Sequence, residues 1–315
     1  MGRGNGSSAT DFILLGLFSA SQHPGLFVSI ILLFLGVAVM GNSVLALLIW
    51  GSARLHTPMY FLLSQLALMD LTLICTTVPK MASDFFSGHG SISRSGCGVQ
   101  IFLYLMLGVA ECVLLTLMAF DRYLAICSPL RYPVIMTPSA CVQMAAGSWA
   151  GGVLISLMHT IYAMHLSTCG SRRIHHFFCE VMALLKLSCE DTSAYEKMVL
   201  ASGIVFLLIP FGLILTSYVL IFLAVLRINS PDGRNKALAT CSSHLAVVSL
   251  YFGPAMIIYM TPGSSLPPEV DQRLFVVDVV ITPMLNPLIY SLRNKDVLWA
   301  LRNVLGSRLM LTQKR

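Results

Sequence analysis

The chain has 315 residues, of which 56% are hydrophobic and 11% charged, with a formal net charge of +6 and a mean hydropathy of +0.80. A water-soluble domain carries roughly 25% charged residues because its surface faces water, so an ordinary soluble domain is excluded and most of this surface must face lipid. No charge-rich linker or internal repeat divides the sequence, and one membrane domain is the expectation.

In chain order, Asn5-Gly6-Ser7 comes first. This tripeptide is a glycosylation acceptor, usable only on the lumenal side, which makes Asn5 a candidate glycan site. The apolar run at 12–18 has no basic flank and no small-residue cleavage site, so a signal peptide is not expected. Gly6 stands where a myristoylation signal needs Ser or Thr, which argues against a lipid anchor. Seven intervals then lack Lys and Arg over the roughly 20 residues that cross about 30 Å of hydrocarbon. They run approximately 26–50, 58–79, 99–119, 140–162, 198–226, 237–262 and 274–292. Their apolar character is continuous, which predicts helices and not barrel strands. The fold class is therefore an all-α membrane protein, a seven-transmembrane helix bundle spanning 26–292 between an outer N-terminus (1–25) and a cytoplasmic tail (293–315). In the tail Val297, Leu298, Leu301, Val304 and Leu305 recur at helical spacing, with Arg302 and Arg308 elsewhere. That pattern predicts a short amphipathic helix on the inner leaflet.

Orientation follows from the bases flanking the spans, because Lys and Arg accumulate on the cytoplasmic side. With the N-terminus outside, the inner set is Arg54, Arg122, Arg131, Arg227, Arg234, Lys236, Arg293, Lys295, Arg302, Arg308, Lys314 and Arg315, against Asp121, Asp232 and Asp296. Bases and acids balance on the outer side. The basicity is a topology signal: the charges are dispersed over several loops instead of forming a stripe, so nucleic acid is discarded as a partner.

Nine cysteines divide by compartment. Cys97, Cys169, Cys179 and Cys189 lie outside, where disulfides persist, and four cysteines allow three pairings. Cys75, Cys112, Cys127, Cys141 and Cys241 lie in spans or face the cytosol and read as small buried residues. The long outer loop at 163–196 carries three of the outer cysteines and reads as a stapled lid. Its string His176-Phe177-Phe178-Cys179-Glu180 offers donors to a soft metal, but a disulfide sulfur is a poor ligand and a disulfide is the expected use of Cys179.

Three acids, Asp70, Glu111 and Asp278, fall inside spans, where ionisable residues are costly and functional. No Lys or Arg lies deep enough to pair with them, so each must be protonated, hydrogen-bonded or bound to a cation. Asn42, Asn286, Ser64 and Thr116 are the candidate polar neighbours. A sodium site on Asp70 and Glu111 is the preferred reading, against two neutral acids in a polar network; Asp278 has the outer cavity as its alternative place. Pro58, Pro79, Pro210, Pro254, Pro283 and Pro287 lie within or at the ends of spans, where kinks permit rigid-body motion.

At the inner end of the third span the sequence reads MAFDRYLAICSPLRYPVIM. With GN at Gly41-Asn42, LHTPMY at Leu55 to Tyr60, PKM at Pro79 to Met81, HFFCE at His176 to Glu180, SY at Ser217-Tyr218, KALATCSSHL at Lys236 to Leu245 and PMLNPLIYSLRNKDV at Pro283 to Val297, the chain resembles an olfactory receptor over nearly its whole length. Asp121-Arg122-Tyr123 and Asn286-Pro287 to Tyr290 mark the rhodopsin-like class of G-protein-coupled receptors. Four positions depart from the family pattern: Phe120 for Tyr, Gln65 for Asn, Met182 for Pro, and Tyr251-Phe252 in reversed order. The last falls at the pocket floor. The resemblance implies a multi-pass plasma-membrane receptor that binds a small odorant in its outer half and activates the olfactory stimulatory heterotrimeric G protein, raising cyclic AMP, with no covalent chemistry. The alternative is a chemosensor of the same family acting outside the olfactory epithelium. By family analogy Cys97 pairs with Cys179 and Cys169 with Cys189, and Arg122 is an inner switch around which Tyr218 and Tyr290 rearrange.

Helical spacing selects an inward face for the pocket in each outer half-span. It comprises Tyr104, Leu105, Gly108, Val109 and Cys112 in the third span, and Ser202 and Phe206 in the fifth. Phe252, Ala255, Met256 and Tyr259 in the sixth are joined by Phe275 and Val279 in the seventh. Most are apolar, which favours an uncharged ligand over an amine or acid. Other classes fit poorly. A retinal photoreceptor needs a lysine in the last span, a transporter shows inverted repeats, and a membrane protease or zinc enzyme needs a constellation such as H-E-x-x-H; none of these occurs. No cofactor is expected beyond the sodium ion.

Overall fold

Seven helices are long and apolar enough to cross a membrane in the computed structural model of the protein, which describes residues 12–17, 23–227, 230–261, 266–292 and 294–312. Asn5 and Pro262 lie outside the described residues, as do the side chains of Lys236, Leu305 and Arg308 and the tail bases Arg293, Lys314 and Arg315. The first three spans are α1 (Pro24–Gly51), α2 (Pro58–Ser87) and α3 (Arg94–Cys127); a short inner helix α4 (Tyr132–Ile135) leads to the fourth, α5 (Pro138–His165). After the loop helix α6 (Val181–Leu185), the fifth span joins α7 (Ser193–Gly203) through a π-helical turn at Ile204–Leu208 to α8 (Ile209–Val225). The sixth is α9 (Pro231–Met260). The seventh joins α10 (Pro268–Val276) through a second π turn at Val277–Ile281 to α11 (Thr282–Leu292), and α12 (Lys295–Thr312) comes last.

The helices begin where the chain offers a start signal. Proline occupies the first turn of α1, α2, α5 and α10, where its missing N–H costs nothing and its fixed φ suits the helix. Ser93 and Thr137 accept hydrogen bonds from the backbone N–H groups of Gly96 and Ala140 at 3.1 and 3.2 Å, capping α3 and α5. Several spans run past the charge-free intervals. α2 continues through Lys80 and Asp84, which pair with each other, and stops at Gly88 in the left-handed region with φ +67. The charge-free interval measures the hydrocarbon, whereas the helical hydrogen-bond ladder persists until a cap or breaker ends it.

The third span is the central post, packed against α2, α5 and α8. Its approach to α5 depends on Gly152, where an added Cβ would stand 2.4 Å from the Met106 carbonyl oxygen. α1 closes on α11 in the same way, a Cβ at Gly41 meeting the Pro287 ring at 2.9 Å. Leu33, Leu47, Leu154 and Val219 point outward and stand exposed, as an apolar-solvated surface requires. On the inner side Val297 and Ala300 of α12 are buried in the main core, and Arg54 both pairs with Asp296 at 2.7 Å and stacks on Trp299 at 4.8 Å.

The outer face departs from an all-helical reading. β1 (Phe12–Leu14) pairs antiparallel with β2 (Ser91–Ile92) and parallel with β3 (Arg173–Ile174), a three-stranded sheet in the order β2-β1-β3. Strands of two and three residues carry too little alternation to announce themselves in sequence. They seat the segment before the first span under the long outer loop, with Phe12, Leu14 and Ile174 buried in a common cluster.

Candidate ligand-binding site

The lid over the bundle is held covalently. Cys97 at the top of α3 is joined to Cys179, and Cys169 to Cys189 within the loop. Gln100 of α3 accepts a hydrogen bond from the Cys179 backbone N–H at 3.0 Å. Beside the disulfide His176 is fully buried among aromatic rings, stacked on Phe177 and edge-on to Phe178 and Phe275. Burial pushes its imidazole down to about 3, so it sits neutral in this aromatic plug. Glu180 caps α6 by accepting from the Ala183 N–H at 2.9 Å, and burial raises its carboxyl to about 7. Both side chains help hold the lid, each keeping one buried polar atom unpartnered, and no cluster of three His, Cys, Asp or Glu capable of holding a metal occurs among the described residues.

Beneath the lid lies a cavity of about 80 Å³ between the third, fourth, fifth, sixth and seventh spans. Of the thirteen residues selected by helical spacing, Tyr104, Leu105, Gly108, Val109, Cys112, Ser202, Phe206, Ala255 and Tyr259 line it. The other four are not among its lining residues. Phe252 is fully buried against Phe211 and Tyr251, and Phe275 belongs to the aromatic plug against Tyr104 and Phe178. Val279 is fully buried in the core, and Met256 packs against that core from a partly buried position. In the seventh span the π turn accounts for the difference: it inserts an extra residue and rotates the helix on either side of it, a shift that simple helical spacing cannot anticipate.

The cavity also has walls that spacing missed. His159 of α5 reaches it with Nε2 2.9 Å from Ser202 Oγ and Nδ1 3.1 Å from Tyr195 Oη. Asp278, carried on the second π turn, lines it too and accepts a hydrogen bond from the Tyr104 hydroxyl at 2.7 Å, so the outer cavity is its place. Tyr251 donates to the Gly108 carbonyl at 2.6 Å and lies 3.1 Å from the Cys112 sulfur. The reversed Tyr251-Phe252 order therefore brings a hydroxyl to the cavity floor and sends the phenyl ring into the core. An isolated polar residue in a span was the available signal for His159.

Deeper, Asn286 donates to both Asp70 oxygens at 3.2 and 3.0 Å. The other expected neighbours are committed elsewhere: Asn42 donates to the carbonyls of Ala38 and Pro283, Ser64 to Phe61 and Thr116 to Cys112. For Ser64 and Thr116 the partner is a carbonyl of their own helix, a short-range bond that polar side chains in helices readily make, whereas Asn42 also bridges to the seventh span at Pro283. Glu111 Oε1 and the amide oxygens of Asn42 and Asn286 are buried without hydrogen-bond partners. Unpartnered oxygens are the donor type a hard cation takes, so these residues fit a sodium ion.

At the inner end Arg122 pairs with Asp121 Oδ2 at 2.9 Å, while Tyr132 donates to Oδ1 of the same carboxylate at 2.8 Å. Tyr218 Oη lies 2.7 Å from His244 Nδ1, linking the fifth and sixth spans. Tyr290 is buried with its hydroxyl unpartnered, Tyr123 packs between the main core and a small inner cluster with Leu124 and Cys141, and Pro287 faces Gly41. A stapled lid, an outer cavity and a charge-locked inner end on one helical bundle are the parts of a ligand-gated transducer.

The olfactory receptor family model matches residues 30–308. The chain belongs to the olfactory receptor family. It is 54% identical over 298 residues to Olfactory receptor 2V1 of Mus musculus, covering 95% of each chain. It is 50% identical over 310 residues to Olfactory receptor 2AJ1 of Homo sapiens, covering 98% of this chain and 94% of the relative. The human Olfactory receptor 2T2 matches at 52% over 299 residues, 95% of this chain and 92% of that one. The receptor is thus a non-enzymatic G-protein-coupled receptor of the plasma membrane, crossing it seven times.

Proposed function

We propose that the receptor binds a small, uncharged volatile in the cavity beneath the lid and, through the olfactory stimulatory G protein, raises cyclic AMP. The observation that carries this reading is the cavity itself, closed above by the disulfide-held loop and lined mainly by apolar side chains. At about 80 Å³ it is smaller than the roughly 150 Å³ that accommodates benzene in an engineered core. A volatile of useful size must therefore displace side chains to enter, and the work falls on α9, which carries Tyr251, Ala255 and Tyr259 at the cavity and His244 at the inner end. Pro254 interrupts that helix between the two ends, and a proline kink lets the segments pivot. Outward movement of α9 stretches the Tyr218–His244 contact, frees the inner face and lets Arg122 exchange Asp121 for the G protein. The ligand drives this only by its higher affinity for the expanded state.

Membrane lipid surrounds the outward apolar residues, and a sodium ion among Asp70, Glu111 and Asn286 stabilises the contracted state. A cyclic-AMP reporter screen of chemically diverse volatiles, in cells expressing the receptor with the olfactory G protein, tests the reading. Dose-dependent responses that vanish without the receptor support it. Silence across the library from a receptor verified at the cell surface overturns it.

A further inference from the structure

The cavity wall contains one acid, and its placement constrains the ligand further. Asp278 is nearly fully buried and receives one hydrogen bond, to Oδ2 from Tyr104; no partner for Oδ1 occurs among the described residues. Across the described part of the lining there is no Lys or Arg. Opposite in hydrogen-bonding sense is Tyr259 of α9, whose buried hydroxyl lies beside that of Tyr104 without a well-formed hydrogen bond and which lines the same cavity. A buried polar group left unpaired is costly, so native structures keep few of them. Here an acceptor and a donor, each short of a hydrogen bond, belong to the walls of one apolar space.

The backbone marks the same spot. Asp278 is the second residue of the π turn at Val277–Ile281, and the Thr282 hydroxyl donates to the Val277 carbonyl at 2.9 Å, supporting the widened turn. The fifth-span π turn at Ile204–Leu208 contributes Phe206 and Leu207 to the cavity. Single π turns inside α-helices are frequent at functional sites, and these two meet at this cavity.

We infer that the receptor's ligand is a hydroxyl-bearing volatile, a small aliphatic or terpenoid alcohol, whose O–H donates to Asp278 while its oxygen accepts from Tyr259. This rests on the reading of the cavity as the ligand site and deepens it. A hydroxyl supplies one donor and one acceptor, matching these two groups. An ether or ester supplies only the acceptor and leaves Asp278 unpaired; a hydrocarbon supplies neither. An ammonium group can pair with the Asp278 carboxylate but has no lone pair to accept from Tyr259, so one of the two groups stays unpaired.

The test pairs each alcohol of three to ten carbons, linear, branched and cyclic, with its methyl ether, parent hydrocarbon and primary amine. Cyclic-AMP responses are recorded for the wild type, Asp278→Val and Tyr259→Phe at matched surface density, and thermal stabilisation of the purified receptor is measured in parallel. Expected is an alcohol more potent than its ether by about tenfold or more, the step that one hydrogen bond to a carboxylate gives. That ratio should collapse toward one in Asp278→Val, whereas Tyr259→Phe, which removes the donor that alcohol and ether oxygens share, should weaken both and leave their ratio largely unchanged. Ethers or amines matching alcohols in the wild type, or an alcohol preference that persists in Asp278→Val, overturns the inference while leaving the receptor reading intact. If no compound of any class stabilises the purified receptor or raises cyclic AMP, the cavity assignment fails and the inference falls with it. Asp278→Asn, which keeps shape and an acceptor oxygen, controls for misfolding: it should reach the surface and retain part of the preference.

Discussion

Tyr218 and His244 meet across the fifth and sixth spans with 2.7 Å between phenol oxygen and Nδ1, and both are buried at the level where Arg122 holds Asp121. The contact ties together two helices that separate if the inner face opens. Removing it lowers the cost of opening. Tyr218→Phe should raise agonist-free cyclic AMP about fivefold, in line with ~1 kcal/mol for a hydrogen bond, measured against surface density. Basal activity equal to wild type would place the lock elsewhere.

Arg122→Ala should leave surface expression largely intact and abolish odorant-evoked cyclic AMP. The guanidinium is held by a carboxylate already shared with Tyr132, so Asp121 keeps one hydrogen-bond donor when Arg122 is lost. What disappears is the planar group able to move between acceptors. An undiminished response at equal surface density contradicts this role.

Cys97→Ser or Cys179→Ser should prevent delivery to the surface. The bond closes a loop of 82 residues in sequence separation, and loss of a native disulfide costs about 2 to 5 kcal/mol. Surface labelling with a membrane-impermeant antibody reads the outcome; free-thiol labelling of both residues in the mature receptor contradicts the pairing.

Sodium should act as a negative modulator. Replacing it with a large organic cation at constant ionic strength should raise agonist affinity in the wild type and leave Glu111→Ala unchanged, since an ion that prefers one state shifts the equilibrium only by that preference. Equal affinity in both salts for the wild type leaves a neutral hydrogen-bonded Asp70 instead.

The lid should show two opposed pH dependences. Glu180 moves from 4.5 to about 7 on folding, so the folded state holds the extra proton between those values and stability falls as pH rises through that window. His176 moves from 6.5 to about 3; there the unfolded state holds the extra proton, and stability rises with pH over that range. In the wild type the two slopes oppose each other between pH 4.5 and 6.5. Glu180→Gln should make the melting temperature of the purified receptor climb more steeply from about pH 5 to 6.5, and His176→Gln should make it decline. Parallel curves for all three proteins would remove both residues from the titration.

The bundle was legible because lipid imposes a single demand, a long uncharged stretch, on every span. Asp121 and Arg122 were singled out through the resemblance and not through spacing, and the structure pairs them at 2.9 Å. The cavity was half legible. Leu105, Gly108 and Cys112 obey α-helical spacing on an unbroken α3, whereas Phe275 and Val279 satisfy the same spacing in a helix that widens at Val277–Ile281. Nothing in a run of branched apolar residues announces such a turn. Of the expected polar neighbours of Asp70, Asn286 reaches it, while Ser64 and Thr116 bond carbonyls one turn away and Asn42 divides between Ala38 and the seventh-span carbonyl of Pro283.

β1 has a consequence for biosynthesis. Ile13 is among the earliest described residues to enter the lumen, yet its parallel partner is Arg173, which emerges only after four spans have been inserted. At about 5 to 20 residues per second, the early strand waits roughly ten to thirty seconds for this second neighbour, β2 becoming available midway. During that interval Phe12 and Leu14 lack the cover that Ile174 later gives them, so the apolar segment ahead of the first span is fully sheltered only once the second outer loop has been made.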